Sequence, residues 1–565
     1  MLAILILLGF YFAPRVSAIS DPLALPNNKF GIHIIDENDL RDAARLVNSS
    51  GGDWGYVTLV IREDDRNDQK WQSIFDQMRT LHLIPLVRLA TRVENGVWVK
   101  PRTEDIGSWV DFLSSLNWVT ENRYVIIFNE PNHAKEWGGS IDPETYAWYL
   151  KEFSKRLKEK SEDFFILPAG LDASAPTGTD TLDEAVFIRR VKTQEPDVFT
   201  YIDGWTSHSY PNPDFSGSPD GFGRGSVRTF LWEKSLLSEI GVADLPIFIT
   251  ETGWKHREGK TLQSSYVSPD TAASYYQKAF QNAWNDPRIV AIVPFLLNYQ
   301  DEPFDHFSFK KTNSDDFYPI FKSIESLVKT EGEPKQKMSA ELVTFSVPKI
   351  LVTGSTYTFI VELENTGQAL MADDDGWIAS LTGLPPSFET FTGIIEPTIP
   401  FHRTRIEVHI KTPSETGIHT YEFSLKRKDQ PILLRLDQIT LIPPPSLLAT
   451  AKIWIRKAAE GKDFTLLVYD EKEELLRREP VEFTKGEAEV ENLYNIVPDK
   501  KYRLVLTKPF YLPRQVYAKL TATKTAITFP TLLPFDPSND GALSWEDAKA
   551  FFKRPLQTFG LFVSL

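Results

Sequence analysis

Eight short apolar runs separated by helix-like stretches fill residues 28–330, and that alternation limits the possible folds more than any other feature. The runs lie at 30–35, 56–62, 84–90, 124–128, 164–169, 201–208, 246–249 and 290–297. Each is too short for a buried helix and is closed by polar or turn-forming residues, as expected of strands covered on both faces. Amphipathic stretches such as 143–160 and 269–284 lie between them. Strand and helix alternating eight times over about 300 residues predict an α/β fold, a (β/α)8 TIM barrel. In that architecture the chemistry sits at the C-terminal ends of the strands.

Two glutamates fall at such ends. Glu130 follows the fourth run in Phe128-Asn129-Glu130-Pro131-Asn132, and Glu251 follows the seventh in Ile249-Thr250-Glu251-Thr252-Gly253-Trp254. A carboxylate just past a buried strand leaves the sheet where water and substrate reach it. Two delivered to one pocket are the apparatus for cleaving a glycosidic bond.

The remaining chain reads as modular. At 565 residues it exceeds what one core supports. A charged linker at 329–337 precedes short β runs with turn signals at 340–443, spaced as in an immunoglobulin-like β-sandwich. A triple proline, Pro443-Pro444-Pro445, precedes a second small β-domain at 448–530. In the 531–565 segment, Asp536, Ser538, Asp540, Ala542 (through its carbonyl), Ser544 and Asp547 have the spacing of an EF-hand calcium loop, with Gly541 at the turn. Residues 1–18 pair an apolar run with a small-residue close at Val16-Ser17-Ala18, the outline of a signal peptide. The protein is then secreted, or attached to the cell surface if the segment stays uncleaved.

A net charge of −15 argues against nucleic acid as a partner. The absence of cysteine removes disulfides, thiolate metal sites and thiol nucleophiles together. Aromatic residues at 12% suit either sugar stacking or aromatic β-domain cores.

With both glutamate motifs on the matching strands, residues 28–330 resemble the clan A glycoside hydrolases. The resemblance implies a carbohydrate substrate and a retaining mechanism that needs no cofactor. Glu251 would be the nucleophile and Glu130 the acid/base, with Asn129 on the sugar 2-hydroxyl. His208 and Tyr210 on strand six would touch the nucleophile, and Arg62 or Arg88 would hold Glu251 ionised. Asn298 and Tyr299 stand where many members carry a tryptophan platform after strand eight. The tail resembles one half of a dockerin, implying structural Ca2+ and a cell-surface or cohesin-like partner.

Other readings stay open for several of these residues. His208 also fits a core histidine bonded to backbone, and His33 either lines the pocket or packs beneath it. Trp137 and Trp254 follow the glutamates closely enough to stack on sugar, yet indoles bury large area anywhere. The chief alternative function is an inactive barrel serving as a cell-surface carbohydrate-binding or adhesion protein.

Overall fold

The computed structural model describes residues 19–556 and 558–559; the expected signal peptide lies outside the described residues. The chain divides into two units, Met1–Met338 with Gly367–Leu370, and Ser339–Thr366 with Met371–Leu565.

The first unit is mixed α/β. Its eight main strands are β1 (Gly31–His33), β2 (Gly55–Arg62), β3 (Leu83–Ala90), β4 (Arg123–Ile127), β5 (Phe164–Pro168), β6 (Trp205–His208), β7 (Ile247–Thr252) and β8 (Ile289–Pro294). They pair in parallel as a five-stranded sheet, β1-β2-β3-β4-β5, and a three-stranded sheet, β8-β7-β6. Parallel bridges join the two sheets at both margins, Phe30 to Ile292 and Asp172 to His208. Strands β5, β7 and β8 are buried along their whole length, because apolar side chains point to both faces. Tyr124, Phe165 and Phe248 meet inside with ring centroids 4.9 to 5.6 Å apart.

Helices follow the strands, and several have explicit start signals. Helix α1 (Leu40–Val47) follows β1. Helix α2 (Asp68–Thr80) is capped by the Asn67 side chain, which accepts from the Lys70 amide. Helix α3 (Asp105–Ser115) precedes β4. Helix α4 (Pro143–Lys160) combines an Asp142 cap with proline in its first turn. Helices α5 (Glu184–Gln194) and α6 (Thr229–Glu239) flank β6 in sequence, and α7 (Pro269–Lys278) repeats the cap-plus-proline start with Ser268. Helix α8 (Pro319–Glu325) ends the series. Among the described residues, no helix is long and apolar enough to cross a membrane.

Several strand ends differ from expectation, three of them at the site. Strand β4 stops at Ile127 and β8 at Pro294, while Glu251 lies inside β7 rather than beyond it. The backbone explains the first. Phe128 and Glu130 both adopt left-handed φ, 70° and 32°, so the chain leaves the sheet before the glutamate.

The second unit is all β apart from short turns and a C-terminal helix. Four-stranded sheets from 340–411 and 350–442 alternate buried and exposed residues, as in Thr356–Asn365 and Arg403–Lys411. A three-stranded and a four-stranded sheet follow within 446–528, the latter built around Gly461–Tyr469 and Lys501–Lys508. Their shared core includes Phe464, Leu466, Phe483, Leu504 and Tyr511. Helix α9 (Trp545–Lys553) ends the described elements and opens with a Ser544–Asp547 capping box.

Candidate active site

Glu130 is lifted from the strand end by two backbone bonds. Its N–H donates to the Gly170 carbonyl at 3.0 Å, and its own carbonyl accepts from the His133 N–H at 2.9 Å. The strained φ is thereby held in place. Glu251 points inward from β7 and is nearly buried, with a 9% exposed side chain.

His208, at the end of β6, stands between them. Its Nδ1 is 2.9 Å from Glu130 Oε1 and 3.8 Å from Glu251 Oε2. One side-chain donor atom from each of Glu130, His208 and Glu251 lies within 4.8 Å of the other two. The imidazole fits because residue 170 is glycine: a Cβ there would fall 2.2 Å from the His208 ring. Burial works against protonation of His208, but the Glu251 and Glu130 carboxylates outweigh it and raise its pKa.

Glu251 is surrounded by donors. Arg88 Nη1 on β3 donates to its Oε1, and the Tyr210 hydroxyl donates to Oε2 at 3.0 Å. Burial alone would favour the neutral acid. His208, Arg88 and the Tyr210 bond reverse that and hold the carboxyl well below its ordinary range. Among the described residues Glu130 pairs with His208 and with no guanidinium, so the two carboxyls sit in unlike surroundings. Tyr210 itself is fixed edge-on against Phe215 at 4.9 Å and beside Phe307 at 5.9 Å.

Asn129 joins the group through Arg88, whose Nη1 donates to Asn129 Oδ1 at 2.8 Å. His33 is fully buried, with Nδ1 3.9 Å from Glu251 Oε1. Burial pushes its pKa down to about 3, which leaves a neutral ring packed edge-on to Phe295 at 5.2 Å.

Of five further expected site residues, four are engaged by other protein groups and Tyr299 stays beside the site. Arg62 is half-exposed and its guanidinium pairs with Asp64. In the β2–β3 register Arg62 stands level with Ala90, whereas Arg88 stands level with Val60. Arg62 is thus one pleat, about 6.6 Å, beyond the level of Arg88. Trp137 is buried among Phe128, Tyr146 and Tyr149 at 5.5 to 6.0 Å, with no face free for a sugar. Trp254 is equally buried, donating Nε1–H to the Gly217 carbonyl at 2.8 Å and packing on Tyr275, Tyr276 and Trp284. Its turn away from Glu251 requires Gly253, at φ 142°, where a Cβ would meet the Tyr276 hydroxyl at 2.2 Å. The Asn298 amide donates to Asp39 Oδ1 at 3.1 Å and accepts from Gln300 at 2.6 Å, so protein groups already engage both of its ends. Tyr299 stays half-buried against the cluster of Tyr210, Phe295 and Phe307, 5.4 Å from the Phe304 ring.

Two features escaped the sequence reading. His133 and Asp172 form a pair at 2.9 Å beside Glu130, and Glu136 brings a third carboxyl to within 3.5 Å of Asn129 Nδ2. The signal available was the density of polar residues just after the Asn129-Glu130 motif, in His133-Ala134-Lys135-Glu136.

In the second unit, the Asp536, Asp540 and Asp547 carboxylates also converge to within 4.8 Å. Loop amides tie them: Asp540 and Gly541 N–H donate to Asp536, and Ser538 and Ser544 N–H to Asp547, at 2.7 to 3.1 Å. Asn539 and Gly541 take left-handed φ, 58° and 84°, which curls the loop around the carboxylates.

No family model and no curated protein sequence matches this chain. Solved structures that resemble it include a family 39 glycoside hydrolase from Bacteroides cellulosilyticus WH2, at 14% identity. That match covers 70% of this chain and 83% of the other, with a TM-score of 0.39. A family 128 endo-β-1,3-glucanase from Sorangium cellulosum matches at 14% identity over 53% of this chain and 98% of its own, TM-score 0.35. A β-mannanase from Thermomonospora fusca matches at 14% identity over 53% and 91%, TM-score 0.34. These neighbours are glycoside hydrolases. With scores this low, the chemistry has to be read from the residues of the site.

Proposed function

We propose that this protein is a retaining β-glycosidase whose eight parallel strands form a (β/α)8 barrel, and that it acts on poly- or oligosaccharide. The observation that carries the reading is the approach of the Glu130 and Glu251 carboxylate oxygens to within 4.8 Å. Retaining enzymes hold their carboxyl groups about 5–5.5 Å apart, because the nucleophile attacks directly, whereas inverting enzymes leave about 6.5–9.5 Å for a water. The unlike surroundings support these roles. Glu251, ionised beside Arg88 and Tyr210, attacks the anomeric carbon. Glu130 gives its proton to the leaving oxygen, then takes one from the water that releases the sugar from Glu251. His208 lies within hydrogen-bonding distance of Glu130 and spaces it from the nucleophile.

In the tail, Asp536, Ser538, Asp540, the Ala542 carbonyl, Ser544 and Asp547 would hold a calcium ion that stiffens the loop ahead of α9. Its converging carboxylates support this. The ion takes no part in the glycosidase chemistry.

The test is sugar release from a panel of aryl β-glycosides and β-glycans by the wild type and by Glu251→Gln. Release that vanishes in the variant supports the proposal and names the sugar. Silence from a folded wild type that still binds glycans would favour the carbohydrate-binding alternative. Equal release by both proteins would mean that Glu251 is not the nucleophile.

A further inference from the structure

His133 and Asp172 meet on the open side of the site. Nε2 of His133, in the loop after β4, lies 2.9 Å from Oδ2 of Asp172, in the loop after β5. Their side chains are 18% and 31% exposed, against 2% for His208 and 9% for Glu251. Glu130, at 18%, belongs to the same open side.

The dyad is built into the backbone around it. Buried Asn132 donates from Nδ2 to the Asp172 carbonyl at 3.0 Å, and its Oδ1 accepts the Asp172 N–H at 3.2 Å. His133 also pairs with Thr181 across an antiparallel bridge, and the Ala134 N–H donates to the Asp180 carbonyl at 2.8 Å. The other oxygen of Asp172 accepts from the Ser174 N–H at 2.8 Å, so both ends of that carboxylate are engaged. His133 Nδ1 is not. It has no hydrogen-bond partner among the described residues and is open to solvent.

Burial works against a protonated ring, but the Asp172 bond and the Glu130 charge outweigh it and raise the His133 pKa. When the ring is charged, Nδ1 donates. When it is neutral with Nε2–H on Asp172, Nδ1 accepts. A hydroxyl suits both forms, because it gives one proton and accepts through its lone pairs. Position decides which sugar supplies it. The His133 N–H donates to the Glu130 carbonyl at 2.9 Å, whereas β6, which carries His208, separates the dyad from Glu251 on β7. The group that receives the proton of Glu130 is the leaving sugar.

We propose that His133, oriented by Asp172, binds a hydroxyl of the leaving sugar and makes a glycan the preferred leaving group over a simple alcohol. The inference rests on Glu130 being the acid/base of the proposed glycosidase.

The test compares two leaving groups on the sugar that the wild type releases best: a β-linked disaccharide and the methyl β-glycoside. Both leave poorly and need the proton of Glu130, but methanol offers no further hydroxyl. His133→Gln places an amide to donate to Asp172 and has nothing at Nδ1. A hydrogen bond to a charged group implies that this variant loses about 10- to 100-fold in kcat/KM on the disaccharide. On the methyl glycoside the loss should be a few-fold or less. His133→Asn, whose amide falls near the Nδ1 position, should recover part of the loss on the disaccharide alone. Equal losses on both substrates would mean that His133 only joins the two loops or tunes Glu130, and would overturn the proposal. An undiminished His133→Gln would overturn it as well. Should the wild type cleave no glycoside, the glycosidase reading fails and this inference with it. An active wild type with equal losses removes the role of His133 only.

Discussion

Arg88 and Glu251 form an enclosed ion pair in which one guanidinium nitrogen serves both the carboxylate and the Asn129 side chain. Arg88→Met would leave Glu251 without its cation in a low-dielectric site. Breaking one partner of a buried pair costs about 3–5 kcal/mol. Denaturant unfolding should register a loss of that order, and kcat should collapse. Unchanged stability would mean that His208 and Tyr210 suffice to hold the charge.

Tyr210→Phe removes one donor from Glu251 Oε2 and keeps the ring packed on Phe215 and Phe307. The Glu251 carboxyl is depressed in the folded protein, so losing a donor raises its pKa. The acid limb of the kcat/KM profile should move to higher pH, and kcat should fall about 10-fold. A superimposable pH profile would contradict the assignment of Tyr210 to the nucleophile.

Glu184 on α5 and Glu233 on α6 are both fully buried, and the two carboxyls interact directly. Trp205 and Ser207 face Glu233, and the charge of His208 favours its ionised form; Arg224 and Asp172 act on Glu184. Burial comes first in raising both pKa values, and two such carboxyls cannot both ionise cheaply. A folded pKa above the unfolded one gives stability that is complete below the unfolded value and lost as pH rises through the folded one. Tm should therefore fall between pH 5 and pH 8 in the wild type and fall less in Glu184→Gln. Identical slopes would show that the pair does not share a proton.

Trp254 tests what lies beside the catalytic motif. Because its indole is enclosed by Tyr275, Tyr276 and Trp284, Trp254→Phe should cost about 2–3 kcal/mol of stability with KM unchanged. A large rise in KM with unaltered stability would return it to the sugar site.

Much of this was legible in the sequence because strand burial and strand-end glutamates leave local marks. Glu130 and Glu251 are legible that way, Asn129, His208 and Tyr210 only through the resemblance to the family, and the structure brings them together with Arg88. The choice between Arg62 and Arg88 was not legible. Both lie near the ends of neighbouring strands, and only the register shows that Arg62 stands one pleat too far and is taken by Asp64. Trp137 and Trp254 misled for a related reason: an indole after a catalytic strand serves a sugar or a core equally well until its neighbours are known. Glu136 went unseen because its contact is with the Asn129 amide, whose orientation is set by Arg88 from another strand.

The most direct test of the central claim is proton NMR of the first sugar released by the wild type from its best β-glycoside. Glu130 and Glu251 each bring an oxygen to within 4.8 Å of the other, in keeping with the close carboxyl spacing of double displacement, so the β-anomer should form first and mutarotate afterwards. Initial release of the α-anomer would mean single displacement by water and would contradict Glu251 as a nucleophile.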